Sequence, residues 1–294
     1  MRIGAVIPNA GPLPERLGLA EMAVAAEEAG ADSVWVSDHL LMVDADTTDY
    51  PFSTDGRPTW PVDTPYLEAM TSCAFIAAAT RACRVGTAVL VLPQRHVLEF
   101  AKVAATLDVL SGGRLVLGVG AGWYRDEFEA LGYAFERRGR RMGEMLQVLR
   151  SCWTGRPEPF EGEEIRILPG IVLEPKPRQP DGPPLLVGGT SPAALRRAAV
   201  HADGWLGIAW VGRLDLDQLA AQLDAVRSRR SEEGLEPAVA TLKLHAAPDV
   251  ADDIPAALES LAPLGLDEVI VEPPWTHGID AAQATIKQAC AAAR

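Results

Sequence analysis

The sequence has few of the residues that build metal centres and disulfide frameworks. Its 294 residues include four cysteines and five histidines. No cysteines form a CxxC pair, and no histidines form an HxH or HxxxH pair, the spacings expected of zinc sites and of metal-dependent barrel hydrolases. We therefore expect no metal ion and no disulfides. Free thiols suit a reducing, cytoplasmic compartment.

Basic residues and long hydrophobic runs are also scarce. Lysine and arginine total 27 against 40 acidic residues, which gives a formal net charge of -13. Such a charge repels phosphate backbones and anionic membrane surfaces. We find no stretch of about 18 uninterrupted apolar residues and no signal-peptide hydrophobic region. The expected partner is a small molecule, and neither nucleic acid nor a membrane.

The main pattern in the sequence is an alternation of short β-rich runs with longer helical segments, which is typical of βαβ units with a buried parallel sheet. The predicted strands are residues 3–7, 33–37, 85–91, 115–119, 185–187, 204–208, 239–245 and 268–271. This alternation predicts one (β/α)8 TIM-barrel domain over residues 1–294, with insertions at about 41–63 after the second strand and 154–184 after the fourth. The alternative, a doubly wound sheet, requires a phosphate-binding fingerprint after the first strand, and residues 7–12 do not supply one.

Helix boundaries follow from capping residues. The first helix is predicted over residues 14–29, with Gly30 after its end. Another is predicted over residues 64–80, with Thr64 as N-cap and Pro65 at the first helical position. The second insertion is predicted to hold a hairpin around residues 160–167.

Polar residues at the ends of predicted strands are the candidate site, because the chemistry of a barrel lies on the loops after its strands. Asp38 and His39 directly follow the second strand. Histidine titrates near neutrality and suits proton transfer, and a neighbouring carboxylate can hold its tautomer. A structural histidine is the alternative.

Two glycine turns follow other strands. Gly118, Gly120 and Gly122 alternate at the fourth, and the run Gly188-Gly189-Thr190-Ser191-Pro192 opens a helix. Glycines allow a ring or phosphate to approach the backbone, and a helix N-terminus attracts anions. A tight turn and an ordinary N-cap explain the same residues. The basic residues of the 137–141 cluster are either a solvated face or a phosphate contact.

Together these motifs resemble a known family. The run from Val85 through Leu98, the segment from Ala105 to Trp123, and Pro175-Lys176-Pro177 ahead of the second glycine turn are similar to the luciferase-like monooxygenase superfamily, in its coenzyme F420-dependent branch. The resemblance covers residues 1–210, and residues 107–122 are its most specific part. It implies a TIM barrel with insertions, a deazaflavin cofactor and a homodimer.

The resemblance also implies residue roles. His39 would face the deazaflavin ring as a base or hydrogen-bond partner, with Asp38 beside it. Residues 88–89 would form a bulge, often with a cis peptide, that backs the ring. The residues matched to cofactor-binding positions are Asp38, His39, Thr87, Ala88, Val89, Gly120, Ala121, Gly122, Asp126, Gly188, Gly189, Thr190 and Leu206.

One residue departs from the sugar-phosphate dehydrogenases of this branch, which have a proton-donating glutamate where this chain has Trp123. An indole there favours a flat or apolar substrate. With Tyr50, Phe52 and Trp60 of the first insertion, Trp123 is predicted to line the substrate pocket. The predicted reaction moves a hydride between F420 and an activated C=C, C=N or C=O bond, or an alcohol, with His39 exchanging the proton. The alternatives are an FMN-dependent monooxygenase and a catalytically idle flavin-binding barrel.

Overall fold

The computed structural model describes residues 1–44, 50, 51, 53, 56–58 and 60–294. Within these ranges eight parallel strands close into a barrel. The barrel strands are β1 (Arg2–Val6), β2 (Ser33–Val36), β3 (Arg84–Val91), β4 (Leu115–Gly120), β7 (Leu185–Gly188), β8 (Gly204–Trp210), β9 (Val239–His245) and β10 (Glu268–Val271). Around the barrel they follow the order β1-β10-β9-β8-β7-β4-β3-β2. A separate antiparallel hairpin comprises β5 (Phe160–Glu161) and β6 (Arg166–Ile167). The predicted (β/α)8 barrel and the hairpin in its second insertion are confirmed.

The α-helices of the described chain surround this barrel. They are α1 (Leu19–Glu28), α2 (Ala69–Ala79), α3 (Val97–Leu110), α4 (Arg125–Ala130), α5 (Arg138–Trp153), α6 (Pro192–His201), α7 (Leu216–Glu232), α8 (Ile254–Leu261) and α9 (Ile279–Ala292). None of the described helices is both long enough and apolar enough to cross a membrane.

Two predicted helix starts were wrong. The segment Pro14–Gly18 is a π-helical turn, and Gly18, with φ of 81°, separates it from α1. The helix predicted from Thr64 begins only at Ala69, where Glu68 caps it by accepting from the Thr71 amide. Residues 65–67 are instead held as extended backbone against residues 9–11, through hydrogen bonds of 2.9 and 2.8 Å. Tertiary pairing therefore overrides the local capping signal. Gly30, as predicted, has a positive φ of 97° after α1.

The core has two layers. One lies between the sheet and the helices, and the other fills the barrel with Val6, Trp35, Ala88, Val116, Leu186, Leu206 and Ile270. The lower barrel also holds a polar group, in which Glu268, 1% exposed, pairs with Arg84 and accepts a hydrogen bond from Ser33. This filled interior leaves the carboxyl ends of the strands as the place for a ligand.

Candidate functional site

Asp38 connects the ends of β2 and β3. Its carboxylate accepts a bidentate pair of hydrogen bonds from the Arg95 guanidinium, both 2.8 Å, and a third from the Val91 amide, also 2.8 Å. Glu68 lies 3.2 Å from the same guanidinium. Both oxygens of Asp38 are thus occupied at 4% exposure. The predicted pairing of Asp38 with His39 is wrong, because Arg95 holds this carboxylate.

Glu127, on α4, is the carboxylate that contacts His39. Its Oε2 lies 3.1 Å from the imidazole Nδ1, and its Oε1 accepts from the amides of Leu40 at 2.6 Å and Leu41 at 3.3 Å. Burial by itself would raise the pKa of Glu127, but the hydrogen bonds from His39 and the backbone lower it overall. An ionised Glu127 fixes the proton of neutral His39 on Nδ1. Nε2 is left as the proton acceptor, and no described residue hydrogen-bonds to it.

Aromatic rings surround this imidazole, which is 7% exposed. Four have centroids between 5.3 and 6.3 Å from it: Tyr66, Trp123, Trp60 and Tyr124. Tyr50 bridges two of them, 5.2 Å from Trp60 and 4.9 Å from Trp123. The first insertion and the loop after β4 therefore meet around His39. Of the residues predicted for the pocket, Tyr50, Trp60 and Trp123 come together, and Phe52 lies outside the described residues.

The β3 bulge lies on the neighbouring side of the barrel mouth. The bond between Ala88 and Val89 is a cis peptide, and the β3–β4 register shifts between Thr87 and Leu90. The Val89 side chain fills the space left by two glycines, since a Cβ at Gly120 or at Gly188 would lie 2.7 Å from its methyl carbons. The predicted bulge is confirmed. These two glycines make room for Val89, a packing role that the sequence did not reveal.

Thr87 and Leu206, both matched to cofactor-binding positions from the sequence, lie deeper in the barrel interior. The Thr87 hydroxyl donates to the Gly118 carbonyl at 2.8 Å and is fully buried. Leu206 packs in the barrel interior beside Ala88. Both residues therefore support the floor of the site.

The second glycine turn reaches the surface at the start of α6. Gly189 has a φ of 114°, and Thr190 is exposed beside it. Ser191 is the N-cap, and its hydroxyl accepts from the Ala194 amide at 3.3 Å. This turn presents backbone amides and a hydroxyl at a helix N-terminus.

The 137–141 cluster divides between several partners. Two of its arginines form ion pairs with the loop of the β5–β6 hairpin, Arg137 with Glu164 and Arg140 with Glu163. Arg141 donates to the carbonyls of Pro93 and Arg95, both at 3.0 Å. Arg138 donates from Nε to the Gly122 carbonyl at 3.0 Å, which places it next to the first glycine turn. Asp126 is half-buried on α4, the helix that also carries Glu127.

Sequence reasoning missed a polar group on β9 and after β10. Lys243 is 8% exposed, and its Nζ lies 3.4 Å from the Ala88 carbonyl. Burial lowers the pKa of Lys243. His245 pairs with Glu272 at 2.7 Å, and Trp210 stacks on this histidine. The signal that could have identified this group is Lys243 itself, a charged residue at an inward-facing position of an otherwise apolar strand.

Comparison with protein families matches residues 1–291 to the model described as luciferase-like monooxygenase. The uncharacterized protein Rv0940c of Mycobacterium tuberculosis is 36% identical over 213 residues, 72% of this chain and 71% of that protein. An F420-dependent glucose-6-phosphate dehydrogenase of Nakamurella multipartita is 36% identical over 192 residues, 64% of this chain and 51% of that enzyme.

Solved structures share the fold at lower identity. The coenzyme F420-dependent tetrahydromethanopterin reductase from Methanopyrus kandleri superposes with a TM-score of 0.75 at 16% identity, covering 100% of this chain and 99% of that one. The oxygenating constituent of 3,6-diketocamphane monooxygenase of Pseudomonas putida, in complex with FMN, gives 0.73 at 15% identity, covering 98% and 96%. Both F420 and FMN therefore occur among proteins with this architecture.

Proposed function

The chain belongs to the luciferase-like monooxygenase family, and from this premise we propose that it is an F420-dependent oxidoreductase acting on a small organic molecule. The substrate carries an activated C=C, C=N or C=O bond, or is the corresponding alcohol. The observation that carries the proposal is the buried His39–Glu127 pair, which leaves Nε2 of the imidazole for a ligand inside an aromatic enclosure.

The residues at the barrel mouth fit a cofactor with a flat ring and an anionic side chain. The Ala88–Val89 bulge would back the ring, and the turn from Gly188 to Thr190 would hold the phosphate through backbone amides and the α6 N-terminus. Gly122 would border the same side chain, with Arg138 fixed to its carbonyl. When bound, F420 donates or accepts a hydride, so one proton must also move to complete a two-electron reaction.

His39 would move that proton. Because Glu127 accepts from Nδ1, neutral His39 presents the lone pair of Nε2 to a substrate hydroxyl and takes its proton during alcohol oxidation. In the opposite direction the imidazolium returns the proton to a carbonyl oxygen. Glu127 stabilises this imidazolium, and the surrounding rings exclude water. Asp38 acts as a positioning residue, because its Arg95 pair holds the loop that carries His39.

The substrate class follows from the pocket walls. Trp123 packs edge to face on His39, and Tyr50 packs edge to face on both Trp60 and Trp123. These rings present apolar surface, with no carboxylate at position 123. These walls favour flat or apolar alcohols, ketones and conjugated carbonyl compounds over sugar phosphates.

A fluorescence titration of the purified protein with F420, and separately with FMN, tests the cofactor. We expect a Kd for F420 in the micromolar range or tighter and at least about tenfold weaker binding of FMN, which is about 1.4 kcal/mol. A panel of alcohols with oxidised F420, and of enones and ketones with reduced F420, then tests the reaction. Tighter binding of FMN would replace the proposal with the monooxygenase alternative, and binding of neither would favour an idle barrel.

A further inference from the structure

Two half-buried arginines lie beside the proposed cofactor turns, and neither forms an ion pair among the described residues. Arg138 begins α5, and Arg197 lies on α6. Glu136, near Arg138 in sequence, forms its ion pair with Arg125. The Nε atom of Arg197 is buried and has no hydrogen-bond partner among the described residues.

These cations disfavour each other. Burial lowers the pKa of Arg197, and repulsion from Arg196 and Arg138 lowers it further. Burial likewise lowers the pKa of Arg138, and repulsion from Arg125 lowers it further, although attraction by Glu136 opposes this shift. The protein as a whole carries a net charge of -13, so the repulsion between these arginines arises from a local cluster of positive charge. Partly buried charges are costly unless they are paired, so this arrangement suits an anion supplied from outside.

Arg138 contacts the first glycine turn, and Arg197 reaches the start of α5. Arg138 is fixed to the Gly122 carbonyl by its Nε and stacks on the Phe135 ring, 3.6 Å from the centroid. The Nη1 atom of Arg197 lies 3.4 Å from the Gly139 carbonyl, at the start of α5. Helical side chains lean toward the helix N-terminus, so Arg197 extends toward the end of α6 that follows Gly189 and Ser191. The two arginines therefore meet at the start of α5.

We propose that Arg138 and Arg197 form a binding site for the multiply anionic side chain of F420, its phosphodiester and the carboxylates beyond it. This inference rests on the proposed function. FMN ends in a single phosphate and has no such carboxylates, so the two arginines would favour F420 over FMN. Guanidinium groups bind phosphate and carboxylate with paired hydrogen bonds, which gives them a geometric fit to both parts of this side chain.

The test compares the wild type with Arg197→Gln and Arg138→Lys. The control is Arg229→Gln, whose side chain lies on α7 and pairs with Glu232 and Glu233. Two ligands are titrated at low salt: F420, and its ring with the ribityl chain but no phosphate or carboxylates. For Arg197→Gln we expect a Kd for F420 raised about tenfold or more. The Kd for the truncated ligand stays as in the wild type. Arg138→Lys keeps the charge but loses the paired hydrogen bonds, and it should weaken F420 by a smaller factor.

A thermal melt of the ligand-free protein separates ligand binding from a structural role. Because Arg197→Gln removes a repelled cation, we expect its Tm to equal or exceed that of the wild type. The inference is overturned if Arg197→Gln lowers the Tm while its affinity for F420 stays within twofold of the wild type. It is also overturned if the variant loses affinity for F420 and for the truncated ligand by the same factor. If the wild type binds F420 and Arg197→Gln binds it equally, only the inference fails. If the wild type binds FMN and not F420, the proposed function fails as well.

Discussion

At the residue scale, the arrangement around His39 depends on a carboxylate that lies 88 positions away in the chain. Glu127 is 1% exposed; it accepts a hydrogen bond from the imidazole Nδ1 and also binds the amides of Leu40 and Leu41, which follow His39. Asp38, the nearer carboxylate in sequence, is committed to Arg95. Proximity in sequence therefore identified the wrong partner for the histidine.

Replacing His39 by Asn should lower kcat by about a hundredfold to ten-thousandfold, the usual contribution of a positioned acid or base. Binding of F420 should change far less, because the ring and phosphate contacts remain. Steady-state kinetics and the fluorescence titration measure these two effects separately. Wild-type turnover in His39→Asn would show that another group moves the proton.

Glu127→Gln should lower kcat and change the Kd for F420 far less, because a neutral amide stabilises the imidazolium of His39 less well than a carboxylate does. Steady-state kinetics and the fluorescence titration measure the two effects. Glu129→Gln is the control, since Glu129 is exposed on the same helix and pairs with Arg125. A kcat that is equal in Glu127→Gln and the wild type would exclude this role.

The lowered pKa of Glu127 also has a consequence for stability. A carboxyl whose pKa is lower in the folded than in the unfolded protein stabilises the fold above the ordinary value of 4.5, and this contribution is lost as the pH falls through the folded value. The free energy of unfolding of Glu127→Gln should therefore be below that of the wild type at pH 7, and the difference should shrink below about pH 4.5. Urea unfolding at several pH values measures it, and a constant difference would contradict the assignment.

At the element scale, the glycines of β4 are required by packing within the sheet. A Cβ at Gly118 would lie 2.2 Å from the Thr87 carbonyl oxygen and 2.7 Å from a Leu206 methyl carbon. Strand β4 cannot move away from these atoms, because it is paired with β3 on one side and with β7 on the other. The alternating glycines of β4 thus allow close packing within the barrel wall that supports the site.

Gly118→Ala should destabilise the protein by about 3 kcal/mol or more, because the added carbon meets backbone atoms in a closed sheet. Gly143→Ala is the matched control. Gly143 lies within α5, and an added Cβ there has nothing within 4 Å. That variant should gain up to about 1 kcal/mol from helix propensity. Denaturant unfolding compares the two, and equal stability would contradict the packing argument.

At the scale of the whole molecule, large apolar side chains are exposed on two neighbouring helices. On α2 and α3 they are Phe75 at 59%, Val103 at 39%, Val109 at 41% and Leu110 at 75% exposure. Clustered exposure of this kind is typical of a protein interface. We propose that a second copy of this chain covers this surface, as the family resemblance implies for a homodimer, with a two-fold axis bringing the same helices together.

Leu110→Glu should shift the protein from dimer to monomer in analytical ultracentrifugation, because a charge would be buried in the interface. Leu168→Glu is the control, since this leucine is 53% exposed and belongs to the second insertion, not to α2 or α3. A monomeric wild type, or a dimer that Leu110→Glu leaves intact, would contradict the proposed interface.

The sequence by itself determined the barrel, because a parallel sheet buried on both sides requires apolar strands alternating with helices. It also predicted the bulge at Ala88–Val89, through the family resemblance, and the position of His39 at the end of a strand. These features depend on neighbouring residues in the chain.

Only the tertiary structure decided which groups meet. Residues 65–67 pair with residues 9–11 and delay the start of α2, Glu127 takes the place expected for Asp38, and Arg138 and Arg197 come together from two helices. Such contacts join segments that are far apart in sequence, and closure of the barrel brings them within reach of one another. The identities of the residues fix their chemistry, whereas the fold fixes their partners.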